Sequence, residues 1–477
     1  MAPETCGVGG DLFALVHRPG WGRPRALNAS GRAGSNAYAD ALRLTGHSEI
    51  ARDHPLTVTV PGCVDGWAAL STELGTLDLA ACLAPAIELA EDGFEVSTEQ
   101  AQAFRQTAFM YQDHPAVQEF YPGGEPVTAG DRVRRGPLAA TLRAVAQGGR
   151  EAFYRGDPAD DIVEELSGTI TKDDLAERHA DWVSPISCWV AGLTSWTIPP
   201  NSQGYLGPAS LAVFEMVDPP ADPDDPDWWH LLIEAFRCVA WERDDLVSDP
   251  DQAPLPADLL LDPARLRRAA ATIDRKRTGL WPKNMGRESG TAYLCVVDGQ
   301  GMAVSIIQSN YFGTGSAFGA RRCGFLLHNR GAGFNLTPGH PNELGPHKRP
   351  LHTLAPTIWT EGDRPRWVIG TRGGSVQPQL VAQVAARAVI AGQDLETTQA
   401  APRWTISDSG PYSKPLLGIE PGVAGPTLEE LRRRGHQIEE LAGRQSGWGP
   451  VSIIEIDGEN LRAAADPRVD TTAALVF

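Results

Sequence analysis

Gly290-Thr291-Ala292-Tyr293-Leu294-Cys295-Val296-Val297-Asp298-Gly299-Gln300-Gly301-Met302-Ala303-Val304-Ser305-Ile306-Ile307-Gln308 is the stretch on which the fold of this chain turns. Two apolar runs flank an Asp-Gly pair, which predicts two strands joined by a tight turn, both apolar enough to be buried. The stretch opens with a small residue followed by a threonine at the entry to a strand. If the chain is cut between Gly290 and Thr291, one residue supplies a hydroxyl nucleophile and a free α-amine beside it. The ordinary pKa of that amine is about 7.7–8.0, so it can accept the hydroxyl proton at neutral pH. A β-branched residue is equally at home there as a plain strand residue, and the local sequence leaves both readings open.

Around this hairpin, the 477 residues suffice for a sizeable core and, by length alone, for two or three domains. Amphipathic spacing predicts helices near residues 83–90, 141–147, 206–217, 228–246 and 263–277. The segment 218–227, Asp-Pro-Pro-Ala-Asp-Pro-Asp-Asp-Pro-Asp, is a loop by composition. Residues 283–290 have the composition of a flexible connection suited to chain scission. After Thr291 the pattern changes to short strands and glycine turns, ending with strands near 451–456 and 463–468.

No apolar run is long enough to span a bilayer, and Met1-Ala2-Pro3-Glu4-Thr5-Cys6 has no signal-peptide pattern, so a cytoplasmic location is expected. Seven scattered cysteines without a C-x-x-C pair fit reduced thiols better than disulfides or a zinc site. The formal charge of −18 argues against nucleic acid or anionic membranes as partners.

A second cluster is Gly370-Thr371-Arg372-Gly373-Gly374-Ser375. Consecutive glycines let backbone N–H groups face a cavity and hold a developing oxyanion, although a tight turn explains a Gly-Gly pair equally well. The lysine and spacing of a phosphate-binding loop are absent. Cys6-Gly7-Val8-Gly9-Gly10-Asp11 mimics a dinucleotide loop, but no strand precedes it. His328, His340, His347 and His352 match no metal-ligand spacing and read as loop and core histidines. Ser202 lacks the G-x-S-x-G elbow of a hydrolase serine.

Taken together, the chain resembles the γ-glutamyltransferase family of N-terminal-nucleophile hydrolases along its length. The resemblance is carried by Cys6–Phe13, Thr59–Trp67, Leu83–Phe94, Ala152–Gly156, Asn201–Gly204, the helix around Glu234 ending in Asp249-Pro250, Gly290–Asp298, Phe312–Gly315, Lys348–Leu351, Gly373-Gly374 and Asp466-Pro467-Arg468, in family order. It implies an α+β fold, the αββα four-layer sandwich, made as a zymogen that cuts itself before a catalytic threonine. Residues 1–290 would form the large fragment and 291–477 the small one, intertwined in one domain and remaining associated.

Carried over by position, Gly290–Thr291 would be the cleaved bond, Thr291 the nucleophile and its freed amine the general base. Gly373 and Gly374 would supply the oxyanion hole, and Asn310 with Ser309 would lie near the acyl group. No metal or cofactor is implied. The partner is a small-molecule amide substrate.

Departures from the family pattern bear on that substrate. Where γ-glutamyl-binding members have an arginine for the α-carboxylate, this chain has Ser30; where they have an aspartate for the α-amino group, it has Gly333. A paired-serine motif is replaced by His352-Thr353. Without that aspartate, burying a substrate ammonium is unfavourable. Arg32, Arg330 and Arg372 are candidates to line the pocket and favour an acyl carboxylate instead.

The expectation is amide hydrolysis of a dicarboxylyl-type or secondary-metabolite substrate rather than glutathione, as in an acylase-like branch similar to cephalosporin acylases. Carbon–carbon hydrolysis and an unprocessed, inactive binding protein stay open as alternatives. The family also places a strand and a packed helix before the Cys6–Asp11 motif, so a sandwich lacking that strand and helix, with an exposed edge, is expected.

Overall fold

The computed structural model describes residues 3–281, 290–407 and 416–476. The expected flexible approach at 283–290 falls, up to residue 289, outside the described residues. Two mainly antiparallel sheets face each other and carry helices on their outer sides. The strands of the first are β1 (Asp11–His17), β2 (Arg25–Ala29), β3 (Asp181–Val183), β6 (Gly290–Val297) and β7 (Ala303–Tyr311), in the order β3-β2-β1-β7-β6. The second comprises β4 (Ile186–Val190), β5 (Leu193–Thr197), β8 (Thr357–Glu361), β9 (Arg364–Thr371), β10 (Val451–Asp457) and β11 (Asn460–Ala463), in the order β11-β10-β9-β8-β5-β4. Each sheet mixes strands from before and after residue 290.

Side-chain alternation builds the layers. In β1, Phe13 and Leu15 join Ile307, Ile358 and Val368 in the core between the sheets, whereas Leu12 and Ala14 face Cys63 and Trp67 of helix α1 (Cys63–Leu74). On the other side, Trp359, Trp367 and Ile369 pack outward against α4 (Leu206–Met216), α5 (Pro226–Ala240) and α7 (Gln377–Ala385). Helices α2 (Leu79–Asp92) and α3 (Gly136–Tyr154) complete the cover on the first side. The expectation that both strands of the hairpin at 291–308 are buried holds for β7, which has a strand on either side, and fails for the outer face of β6. β6 ends its sheet, and its outward residues Leu294 and Val296 are half-exposed. Among the described residues, no helix is long and apolar enough to cross a membrane.

Some boundaries differ from the sequence expectations. The helix expected over 228–246 ends at Ala240 and resumes as one turn at Arg243–Leu246, which carries the Arg243 guanidinium inward to Gln203. That expected over 263–277 is α6 (Pro263–Ala270) and stops early because other groups claim the chain beyond it. His230 Nε2 donates to the Asp274 carbonyl, Thr278 N–H to the Arg434 carbonyl, and Gly279 N–H to Glu234. The strand expected over 463–468 keeps only Ala463, since Asp466 turns back to accept the Val451 N–H at 2.9 Å.

Candidate active site

The entry of β6 is irregular where the sequence placed its nucleophile. Gly290 pairs with Tyr311 and Ala292 with Gln308, so Ser309 and Asn310 of β7 both oppose Thr291. This bulge redirects side chains that regular alternation would have sent to opposite faces. Thr291 is buried, and its Oγ1 lies 2.7 Å from the Gly290 carbonyl oxygen and 3.1 Å from Ser309 Oγ. Ser309 Oγ in turn donates to the same Gly290 oxygen at 2.6 Å and accepts the Tyr311 N–H at 2.8 Å. Two hydroxyls therefore converge on one peptide carbonyl. Asn310 donates through Nδ2 to the Thr314 carbonyl at 3.2 Å, while its Oδ1 is buried without a partner.

Gly373 and Gly374 follow β9 with φ of +120° and +61°, values that side-chain-bearing residues resist, and lead into α7. The Gly373 carbonyl accepts the Val376 N–H. Gln203 Nε2 donates to the carbonyls of Gly374 and Ser375 at 3.2 and 3.3 Å, and Arg243 holds Gln203 Oε1 at 3.2 Å. With their carbonyls fixed this way, the peptide planes of the loop are set.

A Cβ on Gly370 would collide with the Tyr293 ring at 2.2 Å, so β6 crosses β9 there. Tyr293 is two residues from Thr291, and Gly370 is three residues before the glycine pair, so the contact brings the two segments into the same region.

The three candidate arginines have different surroundings. Arg32 is committed to Asp249 Oδ2 and the His347 carbonyl, each at 3.1 Å. Arg372 is paired with Glu99 and bonds the carbonyls of Gly449 and Ser446. Arg330 is fully buried, with its Cζ 3.6 Å from the centroid of the Tyr311 ring. Its Nη1 donates to Thr353 Oγ1 at 3.2 Å, whereas Nε and Nη2 have no partner. Burial lowers its pKa to about 10, so it stays charged at neutral pH. Tyr311, which carries the ring, has a left-handed φ of +72°. Such a conformation costs about 1–3 kcal/mol and is often found at functional positions.

Sequence reasoning missed Asp11, read only as part of a glycine motif. Its Oδ1 accepts the N–H groups of Gly31 and Gly62, and its Oδ2 accepts His352 Nε2 at 3.1 Å, with His328 Nδ1 3.6 Å away. Burial alone would raise this carboxyl, but His328, His352 and Arg330 draw it down to about 2. Burial, helped by Arg330, pushes His352 down to about 3 against the pull of Asp11, which keeps the ring neutral. Its Nδ1 accepts the Leu354 N–H. Gln203 and Arg243 were missed as well, because only the fold brings them to the glycine loop.

His230, Glu234 and His436 form a buried cluster elsewhere, with ligand atoms within 4.8 Å of one another. Protein groups already engage it: His230 and His436 bond each other at 2.8 Å, and Glu234 holds Arg237, Thr278 and Gly279.

Residues 1–476 match the family model described as Gamma-glutamyltranspeptidase. The chain is 34% identical over 478 residues to the Glutathione hydrolase-like YwrD proenzyme of Bacillus subtilis (strain 168), spanning 99% of this chain and 90% of that protein. It is 34% identical over 483 residues to the Oxamate amidohydrolase proenzyme of Klebsiella pneumoniae, again 99% of this chain and 90% of the relative. The solved cephalosporin acylase from Bacillus halodurans superposes with a TM-score of 0.90 at 32% identity, over 100% of this chain and 89% of its own.

Proposed function

The chain belongs to the gamma-glutamyltranspeptidase family of amide hydrolases and acylases, and from there we propose that it is a zymogen whose Thr291 first cuts the Gly290–Thr291 bond and then hydrolyses a small amide. The observation that carries this reading is the convergence of Thr291 Oγ1 and Ser309 Oγ on the Gly290 carbonyl oxygen, at 2.7 and 2.6 Å.

For self-cleavage, Thr291 Oγ attacks the Gly290 carbonyl carbon. The Thr291 hydroxyl proton passes to Ser309 Oγ, 3.1 Å away, while Ser309 gives its own proton to the developing oxyanion. Collapse of the adduct breaks the C–N bond, the Thr291 nitrogen takes up the proton, and Gly290 is left as an ester on Thr291. Water then hydrolyses that ester. This frees a carboxylate at Gly290 and an α-amine at Thr291. Fragments 1–290 and 291–477 stay together because both sheets contain strands of each.

In the mature enzyme the α-amine accepts the Thr291 hydroxyl proton as Oγ attacks the substrate amide. The amides of Gly373 and Gly374 stabilise the oxyanion; removing one such donor typically costs about a hundredfold or more in rate. The leaving amine takes the proton back, and water releases the acyl group. Asn310 borders this space with an unpartnered amide oxygen.

The substrate is a non-standard acyl amide rather than glutathione. A Cβ at position 333 would lie 2.6 Å from the Leu351 carbonyl oxygen, leaving no room there for the aspartate of γ-glutamyl binders. Ser30 is buried and bonded to Asn28 and Asn201, so no guanidinium occupies that position. Relatives named for oxamate and for cephalosporin acylation support the same direction.

Intact-mass measurement tests the reading. Two species are expected, one beginning at Thr291, and Thr291→Ala should give a single uncut chain without amidase activity. An uncut wild-type chain after long incubation, or amidase activity surviving in Thr291→Ala, would overturn it. Ser309→Ala should slow cleavage markedly without moving the cut.

A further inference from the structure

A cavity of about 580 Å³ lies between α5 and α6, a size common among small-molecule sites. Its walls include none of Thr291, Ser309, Asn310, Arg330, Gly373 and Gly374. Leu260 and Leu266 give it a buried apolar side, and Trp241 and Leu280, 51% and 80% exposed, stand at its edge. Large apolar side chains left in water beside a cavity favour an apolar body that removes them from solvent.

The charges in the wall are lopsided. The protein as a whole carries −18, yet the lining sets Arg237, Arg265 and Arg268 against Glu242 alone. Arg265 pairs with Glu242. Arg237 is nine-tenths buried; its Nε is held by Glu234 and its Nη1 by the Leu280 carbonyl, while Nη2 makes no bond among the described residues. Arg268 lies three residues beyond Arg265 on the same face of α6 and has no partner among the described residues. With Glu234 offsetting Arg237 and Glu242 offsetting Arg265, one positive charge is left over, which suits a monoanion. Free guanidinium donors in a sheltered site bind a carboxylate more strongly than donors in open water.

We propose that this cavity binds a small amphipathic carboxylate, its head taken by the free donors of Arg237 and Arg268 and its chain by Leu260, Leu266 and Trp241. The site also adjoins the support of the glycine loop. Tyr205 and Glu242 line the cavity, two residues after Gln203 and one before Arg243. Gln203 holds the Gly374 and Ser375 carbonyls, and Arg243 holds Gln203. An occupant that shifts this wall alters the set of those peptide planes, so occupancy changes kcat and leaves KM alone. The coupling, unlike the binding, rests on the reading of Gly373 and Gly374 as the oxyanion hole.

The test titrates octanoate, neutral octanamide and acetate calorimetrically into the purified full-length protein. Wild type should bind octanoate at one site, with octanamide and acetate each weaker by about tenfold or more, because head and chain both contribute. Arg268→Met should lose the preference for octanoate over octanamide, and Ala269→Trp, which fills the cavity, should abolish the binding of both. Thr291→Ala should bind octanoate as wild type does; a loss there would put the ligand at the active site and overturn the proposal. So would a wild type that ignores octanoate, or binding indifferent to both Arg268→Met and Ala269→Trp. If Ala269→Trp does not fold, the exposed Arg268→Met carries the comparison.

Saturating octanoate should also shift kcat for glutaryl p-nitroanilide at least about twofold at constant KM, a split expected when only transition-state stabilisation is touched. An unchanged kcat in the liganded enzyme, or a change confined to KM, overturns the coupling. A chain that turns over no anilide removes the oxyanion-hole reading and the coupling with it, while the titration still decides the site.

Discussion

Arg330, at the candidate active site, and Arg468, near the C-terminus, are both guanidiniums removed from solvent, yet their surroundings are opposite. Arg468 donates through Nε to Glu420, through Nη1 to the Gln399 carbonyl and Asp466 Oδ1, and through Nη2 to the Ala401 carbonyl and Glu420. Neighbouring Arg403 bonds Asp466, the Trp448 carbonyl and Gln399. Every direction around Arg468 is occupied, which ties it to Gln399, Ala401 and Glu420 and, through Asp466, to β10. Arg330 has one edge occupied and one vacant. A saturated buried charge holds a fold together; an unsaturated one contributes less to it and keeps donors free.

The largest effect should come from breaking the saturated site. Arg468→Met leaves Glu420 in the interior without a cation, while Asp466 keeps Arg403, and should cost about 3–5 kcal/mol in guanidinium unfolding. A loss under about 1 kcal/mol would mean that saturation is not what makes this cluster structural.

Glu4 sharpens the comparison because it is an unsaturated acid. It is buried, its Oε2 lacks a partner, and burial raises its pKa to about 7. Unlike Arg330 it can shed its charge. The unfolded chain releases this proton near the ordinary value of 4.5, so stability from the neutral carboxyl is complete below that pH and declines as pH rises through about 7. Glu4→Gln should remove this slope, gaining about 2–3 kcal/mol at pH 8 relative to pH 5 in paired thermal melts. Parallel pH profiles would refute it.

Arg330→Met should change folding stability by only about 1 kcal/mol, since the vacant edge contributes no bonds and its removal also relieves unsatisfied donors. A loss near that of Arg468→Met would make Arg330 a structural residue. The smallest effect concerns Arg372: with its guanidinium held by Glu99, Arg372→Met should alter the ratio of glutaryl to pentanoyl p-nitroanilide hydrolysis by less than about twofold. A large change there would put Arg372 in the acyl pocket.

The hairpin was legible because both local signals agreed, an Asp298-Gly299 turn between two apolar runs, although the edge position that exposes Leu294 and Val296 was not. The αββα architecture and the family of amide hydrolases followed from motifs in order, and the layers, the full-length family match and the cephalosporin acylase superposition agree with them. Asn310 was harder to place. Counting along a regular strand gives the wrong face once two residues oppose Thr291, and a bulge has no signature in this stretch. The same held for α6, whose helical pattern runs on past the point where His230, Glu234 and the Arg434 carbonyl capture the chain.

By itself the sequence carried the resemblance that gives the family and the sandwich, because motifs in order along the chain need no folding to be read, and it supplied the Gly290–Thr291 bond as the expected place for a nucleophile to be released. It named three arginines without ranking them. Only the tertiary structure decided that Asp249, 217 residues from Arg32, and Glu99, 273 residues from Arg372, neutralise two of them. The third is left with an open edge. Hydrogen-bond saturation depends on every group brought within reach, and that set is assembled by folding.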